Sequence, residues 1–147
     1  MKLISHRGNI QGRVEYNENK PDVVLDVLQE FHVEIDVWYG GSEWHLGHDF
    51  PKHKVSKDFF SNSRLWCHCK NKEALNEFTK FIFPVIYFWH QYDDYTITSN
   101  GYIWTYVGKP IVDKSIIVLS EQHDLNVLKF KGAGVCSDYI KNIKLCN

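Results

Sequence analysis

The chemistry-bearing residues of this chain fall in three short stretches. The first is Val33-Glu34-Ile35-Asp36-Val37-Trp38, which alternates apolar and acidic residues. That period reads as a β-strand, with Val33, Ile35 and Val37 on one face and Glu34 and Asp36 on the other. Two carboxylates so close repel, and burial makes ionisation costly. One of them must take a proton unless a cation sits between them. A half-buried strand with a solvated acidic face is the plain alternative. The other two stretches are His6-Arg7-Gly8 and His48-Asp49. They offer two proton carriers, His6 and His48, and a guanidinium that can fork onto an oxyanion. Taken alone, His6-Arg7-Gly8 reads by default as a surface loop with incidental charge, and His48 as a structural histidine in a loop.

The elements that must position these groups follow from the pattern. Lys2-Leu3-Ile4-Ser5 is a short strand candidate that delivers His6. Asn9 to Lys20 is polar and turn-rich. Pro21 then opens a helix in which Val24, Val27, Leu28 and Phe31 form one stripe, and the helix ends near His32. Strand, loop, helix, strand is a βαβ unit with parallel strands. Gly40-Gly41-Ser42 predicts a hairpin that returns through Glu43–Leu46 and delivers His48. Neighbours on extended chain face apart, so Asp49 need not orient His48.

Leu65–Lys70 is the next strand, with Trp66, His68 and Lys70 on one face and Cys67 and Cys69 on the other. That parity and spacing exclude a zinc site, and the cysteines read as small core residues. Asn71 caps a second helix whose stripe is Leu75, Phe78 and Ile82, and Pro84 closes it. Further strands are expected at 85–89, 95–98, 102–106, 115–119 and 134–138, with a tail from Tyr139. That makes eight strands besides the hairpin return, with helices between them mainly in the first half. His90, Trp104 and Asp138 sit near strand ends, where packing or surface roles are the default.

Length and composition bound the rest. At 147 residues the chain is expected to be a single domain, 1–147. A net charge of −1 without a basic patch argues against a nucleic-acid surface. No apolar stretch is long enough to span a bilayer, and no signal segment opens the chain. Cys67, Cys69, Cys136 and Cys146 then read as reduced thiols of a cytoplasmic protein.

His6-Arg7, Glu34-x-Asp36 and His48-Asp49 occur in that order, with Glu18-Asn19 ahead of the first helix. On these motifs the chain resembles the glycerophosphodiester phosphodiesterase family, within the phospholipase C-like phosphodiesterases. The match covers about the first 50 residues. The resemblance implies an α/β fold, a TIM-type (β/α) barrel reduced from the usual ~250 residues, with helices missing in the second half. It implies hydrolysis of a glycerophosphodiester or similar small phosphodiester. His6 and His48 would be the acid/base pair, and Arg7 and Lys70 would hold phosphate, with Trp104 walling the pocket. Glu34 and Asp36 would hold one divalent ion, Mg²⁺ or Ca²⁺.

The family has Glu-x-Lys on its third strand where this chain has His68-Cys69-Lys70. With His68 as a ligand, Mn²⁺ or another transition metal becomes an alternative. The rival expectations are a metal-independent cyclising phosphodiesterase and an inactive phosphate-binding module.

Overall fold

The computed structural model describes residues 1–119 and 131–143. Ten strands form one sheet. They are β1 (Lys2–His6), β2 (His32–Gly40), β3 (Glu43–Leu46), β4 (His53–Val55), β5 (Leu65–Cys69), β6 (Ile86–Trp89), β7 (Tyr95–Ile97), β8 (Ile103–Thr105), β9 (Ser115–Val118) and β10 (Gly134–Ser137). Two α-helices accompany them, α1 (Pro21–Val27) and α2 (Lys72–Phe78).

The hydrogen-bonded path runs β4-β3-β2-β1-β10-β9-β8-β7, and β5 joins β2 to β6 as a branch. β1, β2, β5 and β6 pair in parallel, as do β1, β10, β9 and β8, while β3, β4 and β7 pair antiparallel. β2 is the pivot. Its first half lies between β1 and β5, and its second half carries β3. The hairpin turn Gly41-Ser42 has positive φ at both residues, 57° and 65°, the geometry that matches strand twist in a two-residue loop.

The sheet curls strongly but stays open, which corrects the expected barrel. Trp104 on β8 stacks within 4.6 Å of Phe88 on β6, although five strands separate them along the sheet. Yet among the described residues no ladder joins β6 to β7 or β8. The Ser99 N–H donates to Tyr87 O across that gap, and Ser99 Oγ donates to Val85 O. Parallel closure needs a crossover of a dozen or more residues for each strand pair, usually a helix. Between β2 and β4 and between β7 and β8 the chain forms hairpins instead, so among the described residues the fold is mostly β with two seven-residue helices, not α/β.

Both helices are shorter than expected. α1 stops at Val27 and a turn carries the chain to β2, and Ile82 is almost fully exposed instead of continuing the stripe of α2. β4 was not expected, and Ile140–Asn142 forms a 3₁₀ turn where a tail was expected. Residues 120–130, part of the half expected to lack helices, lie outside the described residues, as does Cys146.

The two sheet faces hold separate cores. Val33, Ile35 and Val37 pack with Val24, Leu28, Leu65, Cys67, Cys69 and Phe78 under the helices. Ile4, Trp66, Phe88, Trp104, Ile116 and Cys136 fill the inside of the curl. Burial pushes the Cys69 thiol up to about 12, and the Cys67 and Cys136 thiols well above their ordinary value. Thiolate is the reactive form. In a Cys146→Ser variant, the native protein is therefore expected to release no thionitrobenzoate from DTNB at pH 8, while the urea-unfolded protein releases the equivalent of three thiols. Rapid stoichiometric reaction of the native protein would contradict this packing.

Candidate metal centre

The period-two alternation of β2 turns Glu34 and Asp36 away from the helices and into the curl. Parallel register then sets their neighbours. His6 on β1 lies beside Glu34, and His68 on β5 lies beside Asp36. Both carboxylates are buried, Glu34 at 2% exposure and Asp36 at 0%.

Asp36 is held from several sides. Asn19 Nδ2 donates to Asp36 Oδ2 at 2.9 Å, and the Asp36 N–H donates to Asn19 Oδ1 at 2.8 Å. Arg7 Nε lies 3.0 Å from Oδ2 in an ion pair, and Lys70 Nζ lies 3.5 Å from Oδ1. Burial alone would raise its pKa. The His68 ring and the Arg7 and Lys70 charges overcome that and hold Asp36 well below the usual carboxylate range. Arg7 and Asn19 both adopt left-handed backbone, φ 56° and 60°. Asn tolerates that region and Arg does so at a cost, so local strain is stored where two side chains meet Asp36.

Glu34 has no such support. Burial and the neighbouring Asp36 charge raise its pKa. Glu34 Oε2 and Asp36 Oδ1 are both buried without a hydrogen-bond partner. His68 faces both residues, its Nδ1 3.1 Å from Asp36 Oδ1 and 3.8 Å from Glu34 Oε1. The other ring nitrogen, Nε2, lies 2.9 Å from the carbonyl oxygen of His90. A carbonyl only accepts, so Nε2 carries the hydrogen. In neutral His68 the Nδ1 lone pair therefore points at carboxylate oxygens, which is repulsive unless a proton or a metal ion sits there.

One ligand atom each from Glu34, Asp36 and His68 can be chosen so that all lie within 4.8 Å of one another. Ligand atoms sharing one ion through bonds of about 2.1–2.4 Å are roughly 3.0–4.8 Å apart. This buried cluster thus has the donors and spacing to coordinate a divalent ion.

Above the carboxylates opens a cleft of about 490 Å³. His6, Arg7, Glu34, His48, His68, Lys70 and Trp104 all line it, so the structure brings the predicted residues together around Asp36, which lies beneath. Trp104 is 5% exposed and belongs mainly to the inner core. Trp89, Tyr92 and Tyr106 add aromatic wall that the sequence reading did not assign. His48 is at the rim. Its loop is set by Gly47, where φ is 152° and an added Cβ would lie 2.2 Å from Phe50 O. Trp38 Nε1 donates to Gly47 O and ties the loop to β2. His48 Nδ1 lies 2.7 Å from Asp49 Oδ1, so Asp49 does pair with it. The parity argument fails there because the chain has left the strand.

Sequence reasoning also missed what stands behind His6. His6 Nδ1 lies 2.9 Å from Asp138 Oδ1, and Asn9 Nδ2 donates to that same oxygen and to Glu18 Oε1. Burial lowers the His6 pKa, but the Asp138 hydrogen bond and the Glu34 charge outweigh it and the net shift is upward. Asp138 directly follows the end of β10, and its place near a strand end was the available signal. Asn9 gave none, because a polar residue in a polar loop looks like solvent-facing chain.

No protein-family profile and no solved structure matches the chain. A maltogenic alpha-amylase of Bacillus licheniformis is 35% identical over 60 residues, which is 41% of this chain and 10% of the amylase. The chain thus spans about a tenth of that curated relative. This partial likeness is to an amylase, and together with the open sheet it overturns the phosphodiesterase resemblance. The diester-hydrolase activity and the cyclising and phosphate-module alternatives fall with it. Among the described residues no helix is long and apolar enough to cross a membrane.

Proposed function

We propose that the cleft is a divalent-cation site, with Glu34, Asp36 and His68 as ligands, that presents the ion to a small oxygen-rich ligand. The observation that carries this reading is the pair of buried oxygens without a hydrogen-bond partner, Glu34 Oε2 and Asp36 Oδ1, with the bare Nδ1 of His68 3.1 Å from Asp36 Oδ1. A buried polar atom left unpaired costs about 1–3 kcal/mol, and more when it is charged. An ion removes that cost at both carboxylates. Two carboxylates with an imidazole favour Mn²⁺, Co²⁺ or Zn²⁺ over Mg²⁺ or Ca²⁺. Arg7 and Lys70 then face ligand oxygens, Trp104 and Trp89 face its apolar surface, and His48 serves as the proton carrier at the rim. Three free, buried thiols agree with a reducing, cytoplasmic setting.

The test is calorimetric titration of chelator-stripped protein with each of the five metals. Binding at one site per chain, with Mn²⁺, Co²⁺ or Zn²⁺ at least about tenfold tighter than Mg²⁺ or Ca²⁺, is the expected result. No binding of any metal at millimolar concentration would end the reading.

Lys70 gives a signed check. Its ammonium lies on the oxygen that the ion would use, so it competes with the metal. Lys70→Met is expected to tighten Mn²⁺ binding by about tenfold, since a unit charge this close opposes the ion by at least a kcal/mol. Weaker binding in the variant would mean that Lys70 holds the site together.

The aromatic wall favours a second reading, in which the ligand is a carbohydrate. Trp89, Tyr92 and Tyr106 offer flat apolar faces beside a floor of charged donors and acceptors. A flat body with a polar edge suits such a pocket, and the partial likeness to a maltogenic alpha-amylase points the same way. Titration with maltotriose, with and without Mn²⁺, tests it. Absence of binding in both conditions at ten millimolar (on the order of the weakest useful affinity) would remove it.

A further inference from the structure

The proposed ion has three ligands within 4.8 Å of one another, and a further imidazole, His6, stands outside that group with one nitrogen toward Glu34. Asn9 Oδ1 accepts the Val14 N–H at 2.9 Å. The Asn9 amide orientation is therefore fixed, and its NH₂ group must be the end that meets Asp138 at 2.8 Å and Glu18 at 3.1 Å. Asp138 Oδ1 is thus an acceptor, and His6 Nδ1, 2.9 Å away, must carry a hydrogen to donate to it. The remaining nitrogen, Nε2, lies 4.0 Å from Glu34 Oε2, the carboxylate oxygen without a partner. That separation lies within the roughly 3.0–4.8 Å span over which two atoms could share one ion.

His68 is built the same way from the other flank. Its Nε2–H donates to the His90 carbonyl, and its bare Nδ1 faces Glu34 Oε1 at 3.8 Å. Glu34 thus stands between two imidazoles, each locked by an oxygen acceptor behind it. An oxygen acceptor behind each ring is the usual outer arrangement of metal-ligating histidines, where it fixes the tautomer and the ring plane.

We infer that His6 is a fourth ligand of the ion through Nε2, and that Asp138, held by Asn9, is the positioning residue that keeps this nitrogen bare and aimed. The inference rests on the proposed metal site and deepens it to a two-carboxylate, two-imidazole donor set. Ligation takes His6 out of proton transfer and leaves that work to His48.

The experiment is proton NMR of the Co²⁺-loaded protein, recorded in H₂O and in D₂O. Each coordinated imidazole with its second nitrogen protonated gives one paramagnetically shifted signal that vanishes in D₂O. Two such signals are expected from the unmodified chain, one assigned by its loss in His68→Ala and the other by its loss in His6→Ala. Cobalt affinity is expected to fall at least about tenfold in His6→Ala and about 10- to 100-fold in Asp138→Asn, where the hydrogen-bond partner of Nδ1 is altered. A single exchangeable signal in the unmodified protein overturns the inference without requiring any variant to fold. So does a Co²⁺ affinity unchanged within twofold in a folded His6→Ala. Failure of the unmodified protein to take up Co²⁺ at all instead overturns the metal site itself.

Discussion

Asp36→Ala is expected to destabilise the metal-free protein by about 3–5 kcal/mol, the usual cost of deleting one partner of a buried charge pair. Urea unfolding at pH 7 in EDTA measures it. The substitution strands Asn19 Nδ2 and takes from Arg7 its 3.0 Å partner, leaving it the longer 3.4 Å contact with Glu18. It also releases the contact that helps keep Arg7 and Asn19 in left-handed backbone. With total stability of a domain at about 5–15 kcal/mol, that loss is a large fraction of the whole and the urea midpoint should fall accordingly. A loss below about 1 kcal/mol would show that Asp36 is not the hub of the site.

Glu34→Gln is expected to do the reverse without metal and to abolish the response to metal. In the metal-free protein Glu34 is buried beside another carboxylate, with one oxygen unpaired. Removing that charge should stabilise by about 1–2 kcal/mol, within the range found when poorly compensated buried charges are replaced. Adding Mn²⁺ at 100 times its dissociation constant should stabilise the unmodified protein by about 2.7 kcal/mol and leave Glu34→Gln unmoved. Thermal melts with and without Mn²⁺ give both signs at once. A variant that is less stable in EDTA and still gains from Mn²⁺ would place the ion elsewhere.

The local layer of this structure was legible because it follows short periods. Alternation placed Glu34 and Asp36 together and turned His68 and Lys70 toward them, and the Gly41-Ser42 hairpin was visible in its turn residues. The global layer was not. Strand count and parallel pairing suit a closed barrel and an open curl alike, and closure depends on whether β6 finds a second ladder partner on its other edge. Three short motifs carried the family reading, although the same residue types can gather around one buried carboxylate for another purpose. Asp138 and Asn9 escaped because their roles depend on partners more than a hundred residues apart in sequence.

The pairing of β2 on both edges bears on how fast an ion could come and go. β1 takes one edge of its first half, β5 runs along the other from Val33 to Val37, and the Asp36 amide is capped by Asn19. Backbone opening there would break ladders on both sides, so these amides should exchange with solvent deuterium only through near-global unfolding. Glu34 and Asp36 therefore cannot be released by fraying. Ion residence time should follow side-chain motion at the cleft mouth, chiefly Arg7 and Lys70, and stay unchanged by denaturant well below the unfolding midpoint.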